Sequence, residues 1–274
     1  MTTRPVRDDR VLPYTRRLSL FITPFLVVAF AVLYPFPGDT RQLFAWTIRP
    51  TMTPMVLASA YAGGAYFFVR VLREPRWAAV KTGFVAVMVF ASLLGVATVI
   101  HWDRFNHRHV AFWLWAFLYL TAPFLVLAAW LSNRRHAALP TPRDRRLGRG
   151  ARWVIGLVGL LAVAQGVFMF VAPATAIPMW PWTLTPLTCR VMAAVFCLGC
   201  AGLAVPLDPR WRTVRLLLQV EVLMVTLMLV AGVRARSQID TERPLTWLLL
   251  GRFLGVLAGS AYLWLTYGRG ERRA

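Results

Sequence analysis

Side chains suited to acid–base or metal chemistry are concentrated in one short segment of this chain. The segment holds three of the four histidines and an aspartate, at His101, Asp103, His107 and His109. Imidazole and carboxylate groups bind zinc or iron, although the spacing H-x-D-x3-H-x-H is not a standard metal motif. His101 or Asp103 could instead serve as a general acid, a general base or a proton relay. The simplest alternative is a solvated loop in which Asp103 pairs with Arg104.

Two charged residues, Glu221 and Arg252, lie inside otherwise apolar stretches. Charges in hydrocarbon are costly, so such residues mark either a functional site or a buried ion pair. We predict that both side chains face the protein interior and pair, directly or through water. Gln165 is a polar candidate for the same interior, and Arg190 could either bind an anionic group or extend to the membrane surface. These four residues form the predicted ligand-binding set.

Recurring apolar stretches must position these side chains. The 274 residues are 58% hydrophobic, with a mean hydropathy of +0.57. Stretches of about 20 apolar residues match the length needed to cross a hydrocarbon core of about 30 Å, and a soluble core does not need them. We predict an all-α integral membrane protein with eight transmembrane helices, at residues 18–36, 52–72, 82–100, 111–131, 153–173, 187–206, 213–232 and 245–266.

The distribution of charge predicts the orientation of these helices. A formal net charge of +20 would suit a nucleic-acid partner, but the basic residues lie between the apolar runs rather than on one surface, which argues against that class. Most of them fall in the segments on one side, including seven arginines in 132–152. Both termini are therefore expected in the cytoplasm, and tryptophans near the helix ends are expected to anchor in the headgroup region.

Two short motifs recur in the same order in both halves of the chain. W-T-x-x-P occurs at Trp46–Pro50 and Trp182–Pro186, and P-R-W occurs at Pro75–Trp77 and Pro209–Trp211. In the first motif, Thr is expected to cap a helix that Pro begins. In the second, Arg is expected to face lipid phosphates and Trp to anchor the next helix.

This duplication predicts the organisation of the whole chain. Each half contains an even number of spans, so the halves should share one orientation and be related by a pseudo-twofold axis along the membrane normal. The expected segments are two parallel four-helix repeats at 18–131 and 153–266, a basic cytoplasmic linker at 132–152, and cytoplasmic ends at 1–17 and 267–274.

These motifs, together with H-x-D-R-F at His101–Phe105 and W-P-W-x-L-T-P-L at Trp180–Leu187, resemble a group of bacterial multi-pass membrane proteins seen mainly in actinobacteria. The resemblance covers most of the chain and implies a location in the bacterial plasma membrane, but it implies no biochemical activity. Each half also resembles the small DoxX-like four-helix membrane proteins through its glycine- and proline-marked second helix.

The expected function follows from the duplication and the buried charges. Metalloprotease, P-loop, nucleophile-elbow, dinucleotide and Asp-rich isoprenoid motifs are absent from the sequence, so no cofactor is specified. The leading hypothesis is transport or binding of a small, anionic or amphipathic solute between the two repeats, near the outer face. One alternative is a membrane-embedded enzyme for a lipid or isoprenoid, with His101 or Asp103 as the acid–base group and Arg252 stabilising an anion. Another is an accessory subunit of a larger membrane complex.

These hypotheses predict different structures and partners. A transporter should have a polar cavity that reaches the midplane, and a lipid enzyme should have a lateral opening with His101 and Asp103 at its rim. An accessory subunit should have no sizeable cavity. The expected partners are the lipid bilayer, a lipid or small-molecule ligand, and either a second copy of the chain or another membrane subunit.

Overall fold

The computed structural model describes residues 8–139, 141 and 144–268. Parts of three predicted cytoplasmic segments lie outside these residues, namely 1–7, Pro140, Pro142 and Arg143 in the linker, and 269–274. Within the described residues, eight helices are long and apolar enough to cross a membrane, which confirms the predicted all-α class and span number. They are α1 Pro13–Leu33, α2 Met52–Arg73, α3 Trp77–Ile100, α4 Val110–Asn133, α5 Arg149–Val171, α6 Pro186–Leu203, α7 Trp211–Arg234 and α8 Pro244–Tyr267.

The helices begin earlier than the sequence predicts at one end of the bundle. The first span begins at Pro13 instead of residue 18, and the third begins at Trp77 instead of residue 82. Apolar patterning marks the hydrocarbon region, whereas backbone hydrogen bonding continues into the polar interface. The sixth span is interrupted, because regular helix ends at Cys197 and resumes at Cys200.

The bundle has two chemically different ends. The basic end carries the N-terminal segment, both P-R-W turns and the linker, and the opposite end carries the W-T-x-x-P motifs and the histidine segment. Residues 8–12, 74–76, 134–139, 141, 144–148 and 208–210 lie at the basic end, and residues 34–51, 101–109, 172–185 and 235–243 lie at the opposite end.

The tryptophans of both P-R-W turns and the arginine of the second turn are buried in the protein, whereas Arg76 of the first turn is exposed. Trp77 donates its backbone N–H to the carbonyl of Asp9 at 2.9 Å, and Trp211 donates to the carbonyl of Arg145 at 2.8 Å. Both indole side chains are buried. Arg210 is also buried, and its Nε lies 2.7 Å from Asp208 Oδ1. The predicted roles of Arg210 as a phosphate contact and of the two tryptophans as lipid anchors are therefore wrong.

Other tryptophans near the opposite end are also internal. Trp182 donates from Nε1 to Thr53 Oγ1 at 2.9 Å, which joins the two halves of the chain. Thr185, rather than the Thr183 of the repeated motif, caps α6 by accepting from the backbone N–H of Thr188 at 3.2 Å. Exposed tryptophans that suit the headgroup region are Trp102, Trp113, Trp153 and Trp247, whereas Trp46, Trp180 and Trp182 are buried.

The centre of the bundle consists of α2, α3, α6 and α7. α2 packs on α7, and α3 packs on α6. Each central helix also carries one peripheral helix: α1 packs on α2, α4 on α3, α5 on α6 and α8 on α7. The α5–α6 contact is close enough to require glycine, because a Cβ on Gly159 would lie 2.6 Å from the carbonyl oxygen of Gly199. The halves differ at the periphery. α1 packs against α4, whereas α5 does not pack along α8 in the part of the chain that the structure describes.

Candidate functional site

A cavity of about 950 Å³ lies between the two halves of the bundle and extends between α5 and α8. Its walls come from both halves and are overwhelmingly apolar. A cavity of this size and character is typical of small-molecule sites, in which a few polar groups orient a mostly apolar ligand. The charged residues on its wall are Glu221 of α7 and Arg252 of α8.

Glu221 lies deep in the bundle and carries no protein counter-ion in contact with it. It is ten residues from the basic end of α7, which places it about 15 Å along a helix that rises 1.5 Å per residue. Its carboxylate accepts no hydrogen bond and forms no ion pair with any described residue, although the charge of Arg252 acts on it. The side chain keeps some accessible surface because it faces the cavity.

Arg252 is held by uncharged partners. Its Nη1 donates to Gln165 Oε1 of α5 at 2.9 Å. Its guanidinium carbon lies 5.2 Å from the ring centroid of Phe196, within the range of a cation–π interaction. The structure therefore places Glu221 and Arg252 on the wall of one cavity, with Gln165 behind Arg252 as its hydrogen-bond partner, but Glu221 and Arg252 are not in direct contact.

These polar groups belong to the second half alone. At the spacings of the predicted repeat, the residues equivalent to Gln165, Glu221 and Arg252 are Ala29, Val87 and Leu118 respectively. In the first half the cavity wall instead carries two tyrosines, Tyr61 and Tyr119, whose hydroxyls are 3.0 Å apart. Any chemistry that needs charge is therefore confined to the α5–α7–α8 side.

The cavity opens toward the lipid-facing surface between α5 and α8. Gly255 and Gly259 of α8 line the cavity, and a Cβ added to either would have no atom within 4 Å. Val154 of α5 and Tyr262 of α8 also line it, although they are 61% and 64% exposed. We call the opening bordered by these four residues the α5–α8 window. Its ends are closed by the Arg252–Gln165 hydrogen bond and by Tyr267 Oη, which accepts from the backbone N–H of Gly148 at 2.9 Å.

Arg190 belongs to a separate cluster at the opposite end. It donates from Nη1 to His101 Nε2 at 2.7 Å and from Nε to the carbonyl of Phe170 at 3.1 Å. This contact requires a neutral imidazole. Burial of His101 and the positive charge of Arg190 lower the pKa of that imidazole, and the carboxylate of Asp103 only partly opposes them. Neither His101 nor Arg190 lines the cavity.

The other residues of the histidine segment have local roles. Asp103 is exposed and its Oδ2 lies 3.2 Å from Arg104 Nε, in line with the solvated-loop alternative. His109 Nδ1 accepts from the backbone N–H of Ala111 at 3.1 Å and so caps α4. The ring of His107 packs on Phe112 with centroids 4.6 Å apart.

The predicted metal ligands are not brought together. Among the described residues, no three His, Cys, Asp or Glu side chains are arranged as a metal-ligand set. His101, Asp103, His107 and His109 therefore do not converge, and Asp103 turns toward Arg104 instead of toward His101.

Sequence reasoning missed the window. The signal was present, because Gly251, Gly255 and Gly259 recur every fourth residue and so share one face of α8. It also missed a second cavity of about 630 Å³ on the other side of α8, where Tyr66 Oη donates to Gln219 Oε1 at 3.1 Å. α8 consequently has open space on two sides.

The fold and its cavity define a class of protein, a multi-pass α-helical membrane protein with an internal cavity between its two halves. No known family model, curated protein or solved structure matches this chain.

Proposed function

We propose that the protein binds an amphipathic solute in the cavity between its two halves and gives that solute a path to and from the bilayer. The observation that carries this proposal is an apolar cavity of about 950 Å³ with the separated charges Glu221 and Arg252 on its wall. Apolar walls suit a hydrocarbon body, and buried charges suit a polar head.

The cavity supports this function over the two alternatives. An acid–base enzyme built on His101 and Asp103 would need those residues at the cavity, yet neither lines it. A purely accessory subunit would need no internal space of this size. The window supports a solute that exchanges with the membrane rather than with water, since its borders are apolar and lie on the lipid-facing surface.

The test is ligand retention by the purified full-length protein. The protein in maltoside detergent is exposed to a bacterial total lipid extract, and retained amphiphiles are identified by native mass spectrometry. We expect retention by the wild type and a loss of about tenfold in apparent affinity for Gly255→Leu, because the new side chain occupies the window. Gly251→Leu is the matched control, since Gly251 also has open space around it but lies off the cavity.

Two outcomes would reject the proposal. One is the absence of any retained amphiphile in the wild type. The other is an equal loss in Gly255→Leu and Gly251→Leu, which would indicate damage to α8 rather than a blocked site.

We also propose that the halves are parallel repeats with the basic end in the cytoplasm of a bacterial plasma membrane. Reciprocal ion pairs between the halves support the repeat. Glu74 Oε2 lies 4.0 Å from Arg215, and Asp208 Oδ2 lies 2.6 Å from Lys81 Nζ. Glu74 corresponds to Asp208 and Lys81 to Arg215 at one spacing, as in a two-fold interface where each contact occurs twice. The concentration of arginine at the basic end supports the orientation.

A further inference from the structure

We infer that the solute has a zwitterionic head group, whose anionic part binds Arg252 and whose cationic part binds Glu221. This inference rests on the proposed function, because it assigns the ligand class of the same cavity.

Neither charge on the cavity wall contacts a counter-ion among the described residues. A buried charge is stabilised mainly by an opposite charge and by hydrogen bonds, and it is costly without them. Arg252 contacts the neutral amide of Gln165 and the ring of Phe196, while Glu221 accepts no hydrogen bond from a described residue. The wall therefore presents one acidic and one basic group whose charges are not neutralised by contact.

An anion alone would balance Arg252 but would be repelled by Glu221, and a cation alone would have the reverse effect. A neutral apolar molecule would leave both groups without a counter-ion in contact with them. A head group with both charges satisfies both residues and leaves the cavity electrically neutral.

Glu221 and Arg252 lie at different depths in the bundle. α7 and α8 are neighbours that run in opposite directions, with Trp211 and Tyr267 stacked together at the basic end. Glu221 is ten residues from that end and Arg252 is fifteen, so their backbones differ in depth by about 8 Å. A head group with two adjoining charges can contact two side chains that start at these different depths, through hydrogen bonds of about 3 Å.

The α5–α8 window offers the hydrocarbon part of the solute a path out of the cavity. The α5–α8 window begins one turn of α8 from Arg252, on the side of the basic end, and continues toward that end past Gly255, Gly259 and Tyr262. A chain attached to a head group at Glu221 and Arg252 can therefore leave through the window into the half of the bilayer at the basic end. The apolar borders of the window suit a chain and not a charged group.

The test compares two single-chain phospholipids that differ only in their head groups, phosphoethanolamine and phosphoglycerol. The full-length protein in maltoside is titrated with each, and native mass spectrometry measures the fraction with one adduct. We expect the wild type to prefer phosphoethanolamine by about tenfold, since only that head group supplies the ammonium for Glu221.

The variants give opposite expectations for the two charges. Glu221→Gln should remove the repulsion of an anion and shift the preference to phosphoglycerol. Arg252→Gln should weaken the binding of both phospholipids, because both carry a phosphate. Arg190→Gln is the control, because it removes a charge from a site off the cavity, and it should keep the wild-type preference. If Glu221→Gln does not yield monodisperse protein, Glu221→Asp keeps the charge and should keep the preference for phosphoethanolamine.

The outcomes separate this inference from the proposed function. Failure of the wild type to bind either probe or any lipid of the extract rejects both. Binding of the two probes with equal affinity, or a Glu221→Gln variant that still prefers phosphoethanolamine, overturns the zwitterion while the cavity stays a binding site.

Discussion

At the scale of single residues, the contact between Arg190 and His101 couples the two halves through a titratable group. The 2.7 Å hydrogen bond exists only when the imidazole is neutral. Burial and the charge of Arg190 lower the pKa of His101 below 6.5. Between pH 6.5 and the lowered pKa, the unfolded chain therefore binds more protons than the folded protein. The stability that this contact contributes is fully present above pH 6.5 and is lost as the pH falls through the lowered pKa.

A His101→Ala substitution should therefore have a pH-dependent effect. At pH 7.5 we expect it to lower the free energy of unfolding by about 1–3 kcal/mol, because the part-buried guanidinium of Arg190 loses an acceptor. At pH 5 the difference from the wild type should shrink, since protonated His101 no longer accepts. Thermal unfolding of the detergent-solubilised protein at both pH values measures this. His107→Ala is the control, because the His107 ring is exposed and makes no side-chain hydrogen bond to a described residue. If the effect of His101→Ala were the same at both pH values, the mechanism would be contradicted.

The sequence identified part of the cavity site at this scale, and the reason is physical. Glu221 and Arg252 are conspicuous because charge is rare in apolar runs, so their presence in the interior could be expected. The partners of Arg252 could not, because Gln165 and Phe196 lie on other helices and their proximity depends on packing. The sequence grouped Arg190 with Glu221 and Arg252, but Arg190 contacts His101 and lies off the cavity, again because its neighbours depend on packing.

At the scale of helices, glycine has two opposite uses in this bundle. At the α5–α6 contact it permits close approach, because a Cβ on Gly159 would meet the backbone of Gly199 at 2.6 Å, and one on Gly166 would meet that of Ala193 at 2.7 Å. On α8 the added Cβ of Gly255 meets nothing within 4 Å. The first use stabilises the bundle and the second leaves space.

Alanine substitutions should separate these uses. Gly159→Ala should destabilise the protein by about 1–3 kcal/mol, because a backbone contact cannot yield without moving a helix. Gly255→Ala should change stability by less than about 0.5 kcal/mol, the usual range for substitutions that meet no neighbour. Thermal unfolding in one detergent measures both. Equal destabilisation by the two variants would show that α5 and α8 pack together in the folded protein.

The sequence predicted the existence of every span but not the shape of each helix. Length and apolar content decide whether a segment crosses a bilayer, and these are properties of the segment itself. The interruption of α6 after Cys197 and the start of α3 at Trp77 depend on close packing with α5 and on hydrogen bonds to Asp9. Such contacts are made between distant parts of the chain, so the hydropathy of one segment does not encode them.

At the scale of the whole molecule, the proposed repeat relates the two halves of the bundle, and the halves differ around α8. Reciprocal contacts join them at the basic end, where Lys81 bonds Asp208. Although burial alone would raise the pKa of Asp208, hydrogen bonds from Arg210 and Lys81 lower it to about 2. The asymmetry lies elsewhere. Thr121 and Leu125 occupy the positions that Gly255 and Gly259 occupy in the second half, and α1 packs on α4 where α5 and α8 leave the window.

Orientation and span number make a prediction for intact cells. Arg108 and its repeat equivalent Glu242 are exposed at the opposite end, and Arg76 and Leu207 are exposed at the basic end. With the basic end in the cytoplasm, we expect a membrane-impermeant maleimide to label Arg108→Cys and Glu242→Cys in intact cells. Arg76→Cys and Leu207→Cys should react only after the membrane is opened, and the native cysteines give little background because they lie within α6.

Each possible result of this labelling has a distinct meaning. Labelling of Arg76→Cys and Leu207→Cys alone in intact cells would reverse the orientation and contradict the positive-inside argument, while leaving the parallel repeat in place. Labelling of Arg108→Cys without Glu242→Cys would require an odd number of crossings between them. Four helices, α4 to α7, separate these two positions. That result would therefore mean that one of the four does not span the bilayer. The interrupted α6 is the first candidate, since it is the shortest of the eight spans in the described chain.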